Sequence, residues 1–232
     1  MRGAGFLRAG WEVALKDLRL EWRTLETISS SLVFSLVVLV VFSFAFGFET
    51  IREIGAARLV PGVVWAVLAF ASVVGMARSM QLERARDTLS ALFLAPVDRG
   101  AIFTGKLAAN LVKMTLLQWI VMPLSAVFFD YDLLAVAGPM LLVLFLHGLG
   151  LVELGSLFAA VSTRLGRGEA LLAILLFPAA TPIFISAVKC TAALLAGEGL
   201  SGVARSWLLM TIGFDVLYYL VALLTFEFVL ED

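Results

Sequence analysis

Long apolar runs alternate along this chain with short polar segments. Six of them approach or exceed the roughly 20 apolar residues that cross a hydrocarbon core. They are Ile28–Phe48, Val60–Gly75, Leu107–Phe129, Leu133–Val161, Ala170–Leu195 and Trp207–Phe228. The second is short and extends towards Met80. Each predicts a transmembrane α-helix, because lipid offers nothing to satisfy an unpaired backbone group. Two further stretches carry helical periodicity without being greasy throughout. Ahead of the first run, Leu7, Trp11, Ala14, Leu15, Leu18, Trp22 and Leu25 recur at helical spacing, while Arg8, Glu12, Lys16, Arg19 and Arg23 take the other side. Tryptophan and basic residues at a lipid boundary predict a helix over residues 1–27 lying in the interface plane. The plainer alternative, an extension of the first span, conflicts with charges recurring throughout.

Between the second and third runs stands "LERARDTLSALFLAPVDRGAIFTGK", Leu82 to Lys106. Leu82, Ala85, Leu89, Leu92 and Phe93 keep helical spacing, with Glu83, Arg84, Arg86 and Asp87 on other faces. Pro96 cannot continue a helix. The pattern predicts a short amphipathic helix over 82–96, a turn at "VDRG", and entry into the third span. Such a helix can lie flat on lipid or seat its apolar edge in a partner's groove. No internal repeat or low-complexity segment interrupts this order. "LAGEGLSGVAR", Leu195 to Arg205, is a glycine-bearing loop with room for a short re-entrant turn.

Composition agrees: 62% of the 232 residues are hydrophobic, only 15% are charged, and the mean hydropathy is +1.03. Soluble domains carry about 25% charged residues, so the chain reads as a polytopic membrane protein. The net charge of −1 says less than where the charges fall. Twelve Lys and Arg lie in residues 1–27, 78–106 and 162–169, against four (Arg52, Arg58, Lys189 and Arg205) on the other side. That asymmetry predicts both termini in the cytoplasm. The connections on the far side are short, one of them the acidic "FDYDL", and leave no external domain. The amphipathic start lacks the early apolar core and cleavage site of a signal peptide. One cysteine, Cys190, forms no internal disulfide and reads as a small buried hydrophobe.

Candidate chemistry is sparse. "GAIFTGKL", Gly100 to Leu107, approaches the phosphate-binding loop, but Leu107 stands where the Mg²⁺-ligating Ser or Thr belongs and no strand precedes it. ATP therefore belongs to another polypeptide, and Lys106 reads as a boundary residue reaching water. Four ionisable groups lie inside spans: Lys113, His147, Glu153 and Asp215. A mid-bilayer charge costs roughly 2.5–3.5 kcal/mol on insertion scales, so each needs a partner. Lys113 and Glu153 share a depth on consecutive spans and are expected to pair. His147 and Asp215 pair if the fourth and sixth spans touch. His147 is the one histidine, and a neutral imidazole suits haem iron; a hydrogen bond to a neighbouring helix is the commoner role. Pro178 and Pro182, one turn apart in the fifth span, make either a static kink or a bend that moves. Gly148, Gly150, Gly155, Ser156, Ala159 and Ala160 permit close helix contact, internal or across a dimer. No catalytic or metal-ligating constellation is read, and no nucleic-acid interface.

The stretch after the second span resembles the pattern E-R-x-x-G-T-L-x-x-L-x-x-x-P-V-x-x-x-x-I-x-x-G-K of ABC-2-type exporter permeases. Here it reads Glu83, Arg84, Thr88, Leu89, Leu92, Pro96, Val97, Ile102, Gly105 and Lys106, with Asp87 in place of the usual glycine. "LKDLRLEWRT", Leu15 to Thr24, resembles the elbow of such permeases. The resemblance implies a cytoplasmic coupling helix docking on a separate ATPase, with Glu83, Arg84, Arg86, Asp87, Thr88, Leu89, Leu92 and Pro96 as the coupling residues. Within that group the chain is most similar to the CcmB family of cytochrome c maturation permeases. The similar stretches are "LVPGVVWAVLAFASVVGMARSMQLE", Leu59 to Glu83, and "LLAILLFPAATPIFISAV", Leu171 to Val188. One departure is Ala77, where a glutamate commonly precedes Arg78.

The expected fold is all-α: a single permease domain over 1–232, with an elbow helix, six transmembrane helices and a coupling helix. The resemblance implies no enzyme activity in this chain and a bacterial inner-membrane location. It implies a CcmA-like ATPase that holds the ATP, CcmC-like and CcmD-like membrane subunits, the haem chaperone CcmE and a homodimer. The output is haem export or release of haem-loaded chaperone, with haem as substrate. The alternatives are an ABC-2 exporter of lipid, polysaccharide or drug, and a membrane scaffold or intramembrane enzyme with no ATPase.

Overall fold

The computed structural model describes residues 2–85, 98–164 and 168–229. Among these residues the chain is helical with no strands. The helices are α1 (Arg2–Thr24), α2 (Glu26–Ile54), α3 (Ala56–Ala85), α4 (Arg99–Phe129), α5 (Ala137–Arg164), α6 (Gly168–Leu195) and α7 (Gly202–Val229). A single 3₁₀ turn, Leu134–Val136, precedes α5. Helices α2 to α7 are each long and apolar enough to cross a membrane, which matches the six expected spans.

The elbow is a helix of its own. Leu25 adopts a left-handed conformation (φ 50°) between α1 and α2, an uncommon state for a leucine that marks a true break. Its surface divides three ways rather than two. Gly10, Val13, Ala14 and Glu21 are buried; Leu7, Trp11, Trp22 and Leu25 are exposed apolar residues; Arg8, Glu12, Arg19 and Arg23 form an exposed polar face. One face is thus covered by protein, and the two exposed faces are one apolar and one polar.

α3 is the central rod. Two thirds of its apolar window is buried, against 17% for α2 and for α7, and it touches α2, α4, α5 and α6. It continues unbroken through Ala85, so the break expected at Leu82 is absent. Glu83 and Arg84 belong to this helix's last turn, while Arg86, Asp87, Thr88, Leu89, Leu92 and Pro96 lie outside the described residues. Thr27, Ser31, Ser35 and Leu39 form a buried i, i+4 stripe of mostly small residues on α2, and Thr27 and Ser31 of it meet α3. Gly75 of α3 makes that approach possible, since a side chain there would strike Ser31 and Thr27. Ser31 Oγ then donates to the Ala71 carbonyl at 3.1 Å. Gly47, at φ 66°, breaks helical geometry inside α2, so the crossing part ends there.

Glycines on α5 settle where its close contacts fall. Gly148 abuts Gln118 of α4, Gly150 abuts Ile183 of α6 and Asp215 of α7, and Gly155 abuts Met76 of α3. All are contacts within the chain. Pro178 and Pro182 both lie inside α6, whose helical assignment runs without interruption. The 196–201 connection is a tight turn held by Gly197 N–H to the Leu194 carbonyl and Glu198 N–H to the Ala193 carbonyl. It has no re-entrant element, and α7 begins at Gly202, five residues before the expected Trp207.

α1 approaches α4 where Gly10 meets Gly105. A Cβ on Gly105 would run into the Gly10 carbonyl and Val13. Gly105→Leu is therefore expected to destabilise the protein by about 1–3 kcal/mol, the usual cost of overpacking, and to expose α1 to limited proteolysis. Gly62→Ala, with open space around it, is the control and should leave thermal stability unchanged.

Candidate functional site at the elbow junction

The end of α3, the start of α4, the elbow α1 and the start of α2 converge on one side of the bundle. Residues 86–97 join two of these elements, so whatever acts on that segment acts on this junction. Sequence order brings the charges together. Asp17, on the buried side of α1, faces Lys106, one residue beyond the glycine that lets the two helices touch. Asp17 Oδ2 lies 3.6 Å from Lys106 Nζ and its Oδ1 2.9 Å from Lys16 Nζ. Lys106 is only 3% exposed. It is an interior partner, not the water-reaching boundary residue expected from its position. Burial pushes the Asp17 carboxyl up, but Lys106, Lys16 and Lys113 together outweigh burial and hold it below its ordinary range.

Three more contacts tie the junction. Glu21 accepts from the backbone N–H groups of Thr27 and Ile28, both at 2.9 Å. Those are orphan donors of the first turn of α2, so a side chain of α1 caps the next helix. Arg78, near the end of α3, pairs with Glu26 at the start of α2. Ala77 stands beside Arg78 on α3, and the carboxylate comes from α2. Lys113 Nζ donates to Ser79 Oγ at 3.1 Å. Two small cavities of about 30 and 20 Å³ meet at Thr27 and Lys113. Each has room for one or two waters, far too little for a haem.

The intramembrane groups find neighbours other than those expected. Lys113 donates to Ser79 and its charge acts on Asp17, while Glu153 Oε2 is buried without a hydrogen-bond partner among the described residues. His147 meets Ser186 and Thr211, and both Asp215 oxygens lack a hydrogen-bond partner, so the His147–Asp215 pair does not form. The fourth and sixth spans do touch, as that pairing required, but His147 meets Thr211, one helical turn before Asp215.

His147 is fully buried and committed at both nitrogens. Nδ1 lies 2.7 Å from the Val143 carbonyl, which can only accept, so Nδ1 carries the proton. Nε2 accepts from Ser186 Oγ at 2.9 Å or Thr211 Oγ1 at 3.1 Å. Thr211 also reaches Ser186 at 2.6 Å, and Ser186 reaches the Trp207 carbonyl at 2.9 Å. Trp65 stacks obliquely on the imidazole and donates to Thr191 at 2.9 Å. With one nitrogen protonated and the other hydrogen-bonded, no lone pair is left for iron. Cys190 is buried, as expected, and its thiol donates weakly to the Ala204 carbonyl at 3.4 Å.

Two outcomes follow for measurement. Asp17→Asn leaves Lys106 buried beside a neutral group and is expected to cost on the order of 3 kcal/mol. The depressed Asp17 carboxyl contributes stability that is present above the ordinary carboxylate range and lost as pH falls through the folded value. Wild type should therefore lose more stability than Asp17→Asn on acidification below that range, as read from thermal unfolding in detergent at stepped pH. His147→Ala should cost about 0.6–1.7 kcal/mol, the scale of an intramembrane hydrogen bond. It should leave any haem absorption spectrum of the purified complex unchanged.

A search among curated proteins finds no match. The protein family described as CcmB protein matches residues 8–230, nearly the whole length. With six membrane-length helices and an elbow docked on the fourth element, the chain is a multi-pass membrane protein that belongs to the CcmB family.

Proposed function

We propose that this chain is the permease subunit of an ABC transporter for cytochrome c maturation. It couples ATP hydrolysis by a CcmA-like ATPase to haem export or to release of the haem-loaded chaperone CcmE. The observation that carries the reading is the family match over residues 8–230. The junction supplies a mechanical rationale. A segment pushed by a motor must move something stiff. Residues 86–97 are flanked by α3, the most buried span, and by α4, which is locked to the elbow through Gly105 and the Lys106–Asp17 pair.

On this reading Glu83, Arg84, Arg86, Asp87, Thr88, Leu89, Leu92 and Pro96 form the coupling segment, seated in a cleft of the ATPase. The whole chain acts as one ABC-2-type permease domain in the bacterial inner membrane, with both termini cytoplasmic. The excess of Lys and Arg on the elbow side supports that orientation. Two ATPases need two seats, which supports a homodimer, with CcmC-like and CcmD-like subunits beside it. Pro178 and Pro182 each remove a backbone donor inside α6 and mark it as the span that yields when the far face changes.

Leu89→Glu is expected to abolish copurification of the ATPase with a tagged chain, while the membrane fraction still holds a folded permease. Deleting the gene should remove holo-cytochromes c from membranes, read by haem staining. An ATPase that copurifies at normal yield with Leu89→Glu would overturn the coupling assignment. Normal cytochromes c in the deletion would overturn the pathway.

A further inference from the structure

Glu153 and Asp215 are the intramembrane ionisable groups that neither the junction nor the hydroxyl network uses. Glu153 of α5 is 2% exposed and Asp215 of α7 is 5% exposed. Glu153 Oε2 and both oxygens of Asp215 are buried without a hydrogen-bond partner among the described residues. Asp215 Oδ1 occupies the space that a Cβ on Gly150 would fill. Gly150 lies one turn before Glu153 on the same face of α5, so the two carboxyls belong to one stretch of the α5–α7 contact. Each lies deep in the bilayer. Glu153 is about 17 Å along α5 from its Arg164 end, and Asp215 about 21 Å along α7 from its Val229 end.

The titratable groups around them are engaged elsewhere. On α5, His147 bonds Val143, Ser186 and Thr211. On α7, Tyr218 donates to the Ala179 carbonyl at 2.8 Å and Tyr219 shares a hydrogen bond with Thr104. On α4, Lys113 donates to Ser79; on α6, Cys190 donates to Ala204; on α3, Arg78 pairs with Glu26 at the junction. Two adjacent carboxylates in hydrocarbon repel, and like charges sharing a site do not both ionise. One proton between them removes a charge and converts repulsion into a charge-assisted O–H···O⁻ bond. Three unpartnered oxygens fall short of the about six to eight that calcium takes.

We infer that Glu153 and Asp215 form an intramembrane proton-binding site, holding one proton between them where α5 and α7 meet at Gly150. The proton stays while the two helices are in contact. Separating them parts the carboxyls, admits water and releases it to that water. The site thus gives the permease a protonation step set by the spacing of two helices, independent of whether an ATPase drives that spacing.

The test uses the full-length chain in lipid nanodiscs and infrared difference spectra in H₂O and D₂O. Wild type at neutral pH should show the carbonyl stretch of a buried protonated carboxyl, shifted by deuteration. Its absence overturns the site without recourse to any variant. Glu153→Gln and Asp215→Asn should each weaken proton binding by the remaining carboxyl about tenfold or more, the sign of a coupled pair. Circular dichroism confirms the fold of each variant. A remaining carboxyl whose titration does not move would show an isolated buried acid and overturn the sharing. A wild-type titration displaced by added sodium, with potassium held constant, would assign the site to an alkali cation and overturn the proton.

Discussion

A polar side chain in hydrocarbon has no water to fall back on. It must find its partner inside the protein or remain neutral and alone. That constraint organises this structure more than any apolar contact, because lipid rewards an exposed leucine about as well as a buried one. Exposed Val, Leu and Phe on α2 and α7 therefore say little about packing. The hydroxyls and amides that lock helices do: Asn110 to Ser156 between α4 and α5, Gln118 to the Leu144 carbonyl, and Trp65 to Thr191 between α3 and α6. Around His147 the same logic draws α5, α6 and α7 into one hydrogen-bonded knot.

The elbow end obeys a different rule. There the side chains are charged, and glycines let them meet. Gly10 and Gly105 bring α1 and α4 backbones into contact, which places Asp17 within reach of Lys106. A larger residue at either position would hold the helices apart and part Lys106 from Asp17. Glycine and ion pair are thus one device, and the phosphate-loop resemblance of "GAIFTGKL" finds its structural explanation there. Its glycine serves a helix contact and its lysine an interior carboxylate.

The spans were legible because periodicity is irrelevant in a segment that is apolar throughout; length and hydropathy suffice. The elbow was legible from Trp11 and Trp22 at helical spacing against arginines. Its third face was not, since Gly10, Val13 and Ala14 look unremarkable until a partner helix supplies Gly105. The pairing of intramembrane charges failed for a related reason. Depth along a helix can be counted from the sequence, but rotation about its axis and the choice of neighbour cannot. Lys113 and Glu153 sit on consecutive spans, yet Lys113 donates to Ser79 and Glu153 Oε2 has no hydrogen-bond partner among the described residues. Five small polar residues in "TISSSLVFS" could have signalled the Thr27–Ser31–Ser35 stripe, since serine and threonine at i, i+4 in a span suggest a close-packed face.

The position of α3 links these observations. It is the span most enclosed by protein, it runs without a break into residue 85, and it carries Trp65 against the His147 knot at one level and Arg78 against Glu26 at another. A displacement at its junction end meets rigid contacts at each level, because packed helices shift as bodies and do not stretch. Met76 fits against Gly155 of α5, so a slide or rotation of α3 presses directly on the helix that bears Gly150 and Glu153. Motion entering beside residues 86–97 would therefore meet the α5–α7 contact through two tight glycine seats on different faces of α5, Gly155 against α3 and Gly150 against α6 and α7. A bulky residue at either seat would hold α5 away from its neighbour even with every polar partner still in place.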